Sequence, residues 1–350
     1  MNRMLIIDGN SMLCECYYGT IPKEVLMKDK SEWPNYYHKI MRTKTGIFTN
    51  GIFTAMGKIE KIISEHNFTH VIVCVDKHGD RSGRNKLYPE YKANRERPDN
   101  SLISQQELFP HVLSRVGIPV FGDERYEADD LIGTLATYFS VYMPVTIMSG
   151  DQDLTQLVRP GIQMWYTCKS ADKAQNLYDD YIQGRPDAVA LSTLGIPDKV
   201  FPLTTDSVYY LMKVKPNQVT DLKGLCGDAS DNYPGVAGIG EKGAAALLSY
   251  FENIEAIFEK IESLGEDSAK IKEFKKEFSL KTGSSFPWKA LTSPSAKEDA
   301  FLFKKIATIL CNIPFQIPLD TLRLNISKLG REEIYKELEF FSLLHHPFPC

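Results

Sequence analysis

Nine carboxylates in this 350-residue chain fall at positions where they could share a bound cation. Three of them, Asp8, Asp76 and Asp151, directly or closely follow short apolar runs. Two more, Asp228 and Asp231, lie about one helical turn apart. The complete set is Asp8, Asp76, Glu127, Asp129, Asp130, Asp151, Asp153, Asp228 and Asp231.

Gathering so many like charges without metal would be strongly unfavourable, because each carboxylate raises the pKa of its neighbours. Divalent cations resolve that conflict, and an oxygen-only ligand set suits Mg²⁺ or Mn²⁺. Two such ions close together hydrolyse phosphodiester bonds by activating water and stabilising the leaving oxygen. The bland alternatives are isolated turn residues and helix caps, which account for one or two of these carboxylates but less well for nine.

The stretch GDASDNYPGVAGIGEKGAAALL at residues 227–248 combines two possible binding elements. Asp228 and Asp231 lie in its first half, and a glycine-rich turn leads into an Ala/Leu helix in its second half. Glycine lets backbone approach a ligand closely, and a helix start presents free N–H groups to phosphate. The alternative is a packed helix–turn–helix with two solvated aspartates.

The apolar runs at residues 4–7, 71–75 and 145–148 predict strands buried on both faces. Helical patterns at residues 52–65, 104–116 and 128–139 alternate with them. This alternation predicts an α/β fold with a mostly parallel central sheet flanked by helices. Ligands of such sheets bind at the carboxyl ends of the strands, which is where the three strand-following aspartates lie.

The remaining segments are predicted more coarsely. We expect an edge strand within residues 163–172, irregular structure over 191–208, and a charged insertion or linker at about 265–300. The predicted organisation is a metal-dependent nuclease core over residues 1–215, followed by a DNA-binding and helical part over residues 216–350.

Composition excludes several classes of protein. No stretch approaches the ~20 apolar residues of a membrane helix. The apolar run at the start of the sequence is too short for a signal peptide. Seven scattered cysteines indicate reduced thiols and a cytoplasmic protein. The net charge of −4 argues against nucleic acid, but residues 77–97 hold seven Lys/Arg against three Asp/Glu. That window predicts a local basic patch.

The ordered motifs resemble those of the 5′ nuclease family, which includes flap endonucleases, the 5′→3′ exonuclease domain of bacterial DNA polymerase I and stand-alone bacteriophage enzymes. The resemblance covers most of residues 1–250 and extends more weakly to the C-terminus. It rests on LIIDGN at 5–10, CVDKHG at 74–79, LYPEYKANR at 87–95, YEADDLIGTLA at 126–136, SGDQDLTQLV at 149–158 and the stretch at 227–248.

The resemblance implies a PIN-like fold with a helical arch at about 80–110 and a helix–hairpin–helix. It implies two Mg²⁺ ions, with Mn²⁺ as a substitute, and Asp228 and Asp231 needed for the second. Lys92 and Arg95 match catalytic positions beside the scissile phosphate, where their charge would stabilise the phosphoryl oxygens. The implied DNA-binding residues are Arg84, Tyr91, Lys223, Gly235, Gly238, Gly240 and Lys242.

Tyr91 corresponds to a position that stacks on a terminal base, with half-buried packing as the alternative. The hairpin glycines and Lys242 would grip duplex phosphates without reading sequence, and hairpin carbonyls would bind K⁺. Tyr233 departs from the family pattern, which has an aliphatic residue there, and the segment at 265–300 has no counterpart.

The implied activity is structure-specific hydrolysis of 5′ flaps, 5′ ends and RNA primers in RNA–DNA hybrids, by a monomer with no membrane association. A polymerase region does not follow in the sequence, so replication proteins are expected as partners in trans. Two alternatives stay open: a PIN-type single-strand ribonuclease, and a DNA-junction binding module without catalytic activity. Unstructured RNA as a substrate would identify the first, and lost carboxylates would identify the second.

Overall fold

A six-stranded sheet forms the centre of the computed structural model, which describes residues 2–77 and 83–345. The strand order is β3-β2-β1-β4-β5-β6, and every neighbouring pair is parallel except β5 and β6. The strands are β1 (Met4–Asp8), β2 (His70–Cys74), β3 (Val120–Phe121), β4 (Val145–Ser149), β5 (Ile162–Thr167) and β6 (Val200–Leu203).

All five residues of β1, β2 and β4 are buried, as expected for parallel strands covered by helices on both faces. The predicted parallel α/β architecture is therefore confirmed. The prediction of an edge strand around Trp165 was wrong, because β6 pairs with β5 and covers it. The segment 191–208, which we expected to be irregular, supplies this extra strand.

Helices cover both faces of the sheet. Through residue 212 they are α1 (Gly9–Thr20), α2 (Lys23–Leu26), α3 (Asn50–Glu65), α4 (Arg84–Leu87), α5 (Asn100–Val116), α6 (Ala128–Phe139), α7 (Ala171–Ile182) and α8 (Thr205–Met212). Two longer 3₁₀ segments occupy Lys30–Lys39 and Gln152–Leu157. Helices α1, α3 and α5 pack in the core on one face, whereas α6 lies in the core on the other.

The predicted arch at about 80–110 is too long at its C-terminal end. Asn100 begins α5, and Leu102 and Phe109 of this helix are buried in the core beneath the sheet. A projecting arch cannot contain residues that the core needs, so within the described residues only 83–99 remain for it. Residues 78–82, including Arg81 of the predicted basic window, lie outside the described part of the chain.

The C-terminal half is helical. Its elements are α9 (Val219–Cys226), α10 (Glu241–Tyr250), α11 (Ile254–Leu264), α12 (Ser268–Thr282), α13 (Trp288–Leu291), α14 (Ala296–Ala307), α15 (Lys328–Glu337) and α16 (Phe341–Leu344). Helix α14 packs against α9 at Gly224, where a Cβ would lie 2.7 Å from the Ala300 carbonyl oxygen. The segment predicted as an insertion or linker is thus folded, because it contains α12, α13 and the start of α14.

The last part of the chain packs against elements of the first half. The Leu324 N–H donates to the Thr69 carbonyl at 2.9 Å, and Arg331 of α15 forms a buried ion pair with Glu60 of α3 at 2.6 Å. Tyr335 adds a hydrogen bond to the same carboxylate at 2.7 Å. The structural division therefore differs from the predicted boundary, because residues after about 323 pack with the nuclease core. Within the described residues, no helix is long and apolar enough to cross a membrane.

Candidate metal centre and nucleic-acid interface

Four carboxylates meet at the carboxyl edge of the sheet, and we call them the sheet-edge group. Three follow the strands β1, β2 and β4, and the fourth lies in the first turn of α6. Because parallel strands end at one edge, residues that are far apart in sequence come together there. The sheet-edge group is Asp8, Asp76, Asp129 and Asp151.

Asp8 is held rigidly at the end of the central strand. Its carboxylate caps α1 by accepting the Ser11 N–H at 2.9 Å, and it accepts the Ser149 hydroxyl at 2.6 Å. The pKa of Asp8 is raised to about 6, and burial is the largest cause. Hydrogen bonds from Ser149 and Ser11 oppose the rise, and the nearby Asp151 and Asp76 contribute to it. The surroundings of Asp8 therefore disfavour ionisation of its carboxyl group unless a cation is near.

Asp76 is positioned by two donors from different elements. Its side chain accepts the Ala128 N–H at the start of α6 at 2.7 Å and a hydrogen bond from the Asn10 amide. These contacts connect the end of β2 to the helix that carries Asp129. The carboxylate stays exposed at the sheet edge.

Asp129 and Asp151 complete the sheet-edge group from opposite sides. Burial raises the pKa of Asp129 well above its ordinary value, and Asp151 and Asp8 add to the shift. Within the described residues, Asp129 accepts no hydrogen bond and pairs with no Lys or Arg, although Lys92 lies near enough to oppose the shift. This region therefore has no Lys or Arg paired directly with its carboxylates among the described residues, and Lys92 only partly offsets their charge.

Four other carboxylates have cationic partners, and we call them the lysine-bridged group. Lys223 at the last turn of α9 contacts Asp153 at 2.8 Å and also Asp228. Although burial opposes it, contact with Lys223 and Ser230 lowers the pKa of Asp228. Lys92 contacts Glu127 at 2.9 Å and Asp231 at 3.7 Å. The lysine-bridged group is Glu127, Asp153, Asp228 and Asp231.

The predicted catalytic residues Lys92 and Arg95 lie beside the carboxylates. Arg95 Nη2 contacts Asp231 Oδ1 at 2.7 Å, and the Arg95 side chain is half exposed. Lys92 has a left-handed backbone with φ of 57°, which is uncommon for a residue with a Cβ. Its N–H donates to the Asp231 carbonyl at 2.9 Å, so the strained turn is fixed against the loop that carries Asp231.

Two asparagines hold these loops together, and sequence reasoning missed both. The Asn232 amide donates to the Glu90 carbonyl at 2.7 Å, and the Asn94 amide donates to the Ala229 carbonyl at 3.0 Å. Asn232 also has a positive φ of 60°. Asparagine beside aspartate is a local signal for a turn, but nothing in the sequence indicates its partner 142 residues away.

The loop from Gly227 to Gly235 is closed by backbone contacts. Asp228 and Tyr233 exchange N–H···O=C bonds of 2.8 and 3.0 Å. Gly227 and Gly235 have positive φ values, and a Cβ on Gly235 would lie 2.2 Å from the Gly227 nitrogen. No side chain fits there, so the glycines fix the position of Asp228 and Asp231.

The predicted hairpin glycines have different environments. Gly235 is buried and closely approaches Gly227, so the structure gives its lack of a side chain a packing reason, and its contact with phosphate stays a prediction. Gly238, Gly240 and Lys242 are exposed, and Gly240 precedes α10 as its N-cap. The first N–H groups of α10 have no partner within the helix, which is the arrangement that favours an anion.

Asp130, a predicted metal ligand, and Arg84, a predicted DNA contact, form a buried ion pair. Arg84 donates to both Asp130 oxygens at 2.8 Å, and the Leu310 N–H donates to one of them at 2.9 Å. Asp130 is 0% exposed and Arg84 is 6% exposed. In this structure each ion neutralises the other, and a metal ligand at Asp130 and a DNA contact at Arg84 stay predictions.

Tyr91 and Lys223 also point inward. Tyr91 is 3% exposed, and its hydroxyl donates to Glu127 at 3.2 Å and to Asp231 at 3.1 Å, so the face predicted to stack on a base is covered. Lys223 faces Asp153 and Asp228 instead of solvent. Tyr233, the departure from the family pattern, stacks on Phe303 with ring centroids 5.5 Å apart. A larger ring is therefore accommodated by packing.

One buried ligand atom fits a bound cation. Glu127 Oε1 is buried and accepts no hydrogen bond from the described residues, whereas Asp153 Oδ1 contacts the Lys223 ammonium at 2.8 Å. A buried anionic oxygen normally has a partner, and a hard cation is one that it accepts. Within the described residues, no group of three or more His, Cys, Asp or Glu side chains stands close enough together to hold a metal ion directly. Magnesium keeps several waters, so ligands at longer range suit it.

Comparison with known proteins agrees with this geometry. Residues 3–183 match the family "5'-3' exonuclease, N-terminal resolvase-like domain", and residues 214–329 match "5'-3' exonuclease, C-terminal SAM fold". The 5'-3' exonuclease of Bacillus subtilis (strain 168) is 33% identical over 264 residues, which is 75% of each chain.

The DNA polymerase I of Caldicellulosiruptor bescii is 30% identical over 347 residues, which is 98% of this chain and 33% of the relative. The chain therefore spans about a third of the length of the DNA polymerase I relatives that it matches. A structure of T5 5'-exonuclease with bound divalent metal ions (zinc) has a TM-score of 0.50 at 18% identity. The match covers 88% of this chain and 100% of that one, and it shows a shared fold. This chain belongs to the 5'-3' exonuclease family.

Proposed function

We propose that the protein is a metal-dependent, structure-specific 5′ nuclease that cleaves 5′ flaps and 5′ ends of DNA near the junction of single strand and duplex. The observation that carries this function is the convergence of Asp8, Asp76 and Asp151 from three strand ends with Asp129 of α6. No Lys or Arg of the described residues forms an ion pair with any of these four carboxylates, although Lys92 is near Asp129. Two Mg²⁺ ions, or Mn²⁺ in their place, are the proposed cofactors.

The lysine-bridged group supports a second ion near Asp153, Asp228 and Asp231. When bound, the ions supply an activated water and stabilise the leaving oxygen. Lys92 and Arg95 neutralise charge on the phosphoryl oxygens, and their contacts with Asp231 hold them beside the carboxylates. The closed loop at 227–235 fixes the distance between this site and the hairpin that follows it.

The hairpin is proposed to hold the duplex. Gly238, Gly240 and Lys242 present exposed backbone and one positive charge at the start of α10. Such contacts position a duplex without reading its sequence. We also propose that the hairpin carbonyls bind K⁺ and that RNA primers in RNA–DNA hybrids are additional substrates. The proposed partners in trans are replication proteins, and the proposed state of the protein is a monomer.

Cleavage of a 5′-labelled flap by the variant Asp151→Asn tests this function. Loss of the carboxylate should reduce the cleavage rate by a factor on the order of 10³ or more, because a metal ligand is removed. Binding of the flap should be retained in a gel-shift assay, since Asp151 is not a proposed DNA contact. The matched control is Asp187→Asn, an exposed aspartate after α7, which should cleave normally. Undiminished cleavage by Asp151→Asn, or by the wild type in EDTA, would contradict the proposal.

A further inference from the structure

The segment from Ser268 to Leu291 is basic in an acidic protein. It contains six lysines and two glutamates, whereas the whole chain has a net charge of −4. It comprises α12, α13 and the turn between them. The segment lies within residues 214–329, which match the family's C-terminal SAM fold, and that match alone does not explain its concentration of lysines.

An aromatic cluster fixes the segment to the end of α10. Phe278 and Tyr250 have ring centroids 5.3 Å apart, and Phe286 lies 4.9 Å from Phe274 and 5.1 Å from Phe278. Phe274, Phe278 and Phe286 are all buried. The segment is therefore a folded part of the helical half and holds its lysines at defined positions.

The segment borders the hairpin that is proposed to grip the duplex. The Cβ of Ala290 in α13 lies 3.6 Å from the point where a Cβ on Gly238 would be. Lys289, the neighbour of Ala290, is exposed. A backbone phosphate bound at the hairpin would thus lie beside a surface that continues into α13.

The lysines of α12 fall into two sets. Lys270 pairs with Asp267 at 3.4 Å, and Lys281 pairs with Glu277 at 2.7 Å. At 100° per residue, Lys272, Lys275 and Lys276 share the other side of the helix, away from Phe274 and Phe278. They are exposed, and no carboxylate of the described residues pairs with any of them or with Lys289.

We propose that residues 268–291 extend the duplex-binding surface beyond the hairpin, with Lys272, Lys275, Lys276 and Lys289 contacting phosphates of duplex DNA. Unpaired, repelling lysines on a rigid support match the closely spaced negative charges of a duplex backbone. The contacts would be independent of sequence, as phosphate contacts are. This inference rests on the proposed nuclease function, because the hairpin must first hold the duplex.

The test compares two double variants of the same helix with equal change in charge. Lys272→Gln with Lys276→Gln removes two unpaired lysines, and Lys270→Gln with Lys281→Gln removes two paired ones. Glutamine keeps helix propensity, and thermal unfolding checks that both variants are folded. The probe is a flap DNA with a downstream duplex of increasing length, and affinity is measured against salt concentration.

We expect the Lys272/Lys276 variant to bind the long-duplex flap roughly ten-fold more weakly and to lower the salt slope by about 2, near one unit per phosphate contact. The Lys270/Lys281 variant should bind like the wild type, and all three proteins should bind alike when the duplex is short. Adding Lys289→Gln should weaken binding of the long duplex further.

Equal affinities and salt slopes for the two double variants on every duplex would overturn the inference. If the wild type still cleaves the flap in that case, the proposed nuclease function stands and only the extended surface fails. If the wild type neither binds nor cleaves the flap, the proposed function itself fails.

Discussion

The two carboxylate regions of this site differ in how their charge is balanced. In the lysine-bridged group, Glu127 and Asp231 contact Lys92, and Asp153 and Asp228 contact Lys223. In the sheet-edge group, burial and mutual repulsion raise the pKa values of Asp8 and Asp129. One region is neutralised by the protein's own cations, whereas the other requires an external cation or protons.

The difference predicts opposite responses to the same chemical change. Removing a carboxylate from the sheet-edge group relieves repulsion, but removing one from the lysine-bridged group leaves a lysine or arginine without its partner. The folded structure of the metal-free protein is therefore strained in one region and stabilised in the other. We expect the metal-dependent function to reside in the sheet-edge group, because a cation bound there relieves the most repulsion.

The buried pair below the site should give the largest effect on stability. Arg84→Met leaves Asp130 charged and 0% exposed, so we expect a loss of about 3–5 kcal/mol in the free energy of unfolding. Urea unfolding monitored by circular dichroism measures it. The control Arg125→Met breaks an exposed pair with Asp123 and should leave the free energy of unfolding nearly unchanged. Equal losses for both variants would show that Arg84 is not a structural partner.

The pH dependence of the metal-free protein should reveal the sheet-edge group. The pKa of Asp8 is raised from 3.8 to about 6, so the folded state binds this proton more tightly than the unfolded state. The stabilisation is present below about pH 4 and is lost as the pH rises through about 6, by up to about 3 kcal/mol. Comparing unfolding of the wild type with Asp8→Asn in EDTA isolates this change, since asparagine also caps helices. A difference between them that is independent of pH would contradict the assignment.

Mg²⁺ should stabilise the protein by occupying the region without cations. At a concentration of about 100 times Kd, a ligand of the folded state adds about 2.7 kcal/mol. Thermal unfolding with increasing MgCl₂ measures this, with NaCl at matched ionic strength as the control. Asp129→Asn should reduce the stabilisation. Equal effects of the two salts would argue against a specific site.

Paired substitutions provide the finest comparison of the two regions in EDTA. Asp129→Asn should raise the free energy of unfolding, because it removes a buried carboxylate that Asp151 and Asp8 repel. Asp231→Asn should lower it by about 1–3 kcal/mol, because Arg95 and Lys92 lose a charged partner. Denaturant unfolding measures the change in the free energy of unfolding for each variant. Changes of the same sign would contradict the proposed difference between the sheet-edge group and the lysine-bridged group.

Sequence reasoning predicted the parallel sheet and the aspartates at its edge because both leave local signals. Apolar runs of four or five residues with an aspartate at or shortly after their end indicate buried strands with polar ends, and β1, β2 and β4 agree with that interpretation. Strand β6 was missed because it contains Pro202, pairs antiparallel and has only four residues. Its partner β5 therefore looked like an edge.

The pairing of side chains could not be predicted from the sequence. Arg84 and Asp130 are 46 residues apart, and only the fold brings them together in the interior. For Tyr91 the resemblance implied base stacking, with half-buried packing as the alternative, and in the structure it is buried with long-range contacts to Glu127 and Asp231. Local patterns indicate which residue types are present, whereas tertiary contacts decide which of them face the solvent.

The most direct test of the central claim is digestion of 5′-labelled flap DNA, nicked DNA and single-stranded DNA side by side, with Mg²⁺ and with EDTA. If the sheet-edge group requires a cation and the hairpin holds the duplex, the flap is cleaved near its junction and the single strand is cleaved slowly. No product forms in EDTA. Unstructured RNA is included as a fourth substrate. Cleavage in EDTA, or faster cleavage of unstructured RNA than of the flap, would contradict this account.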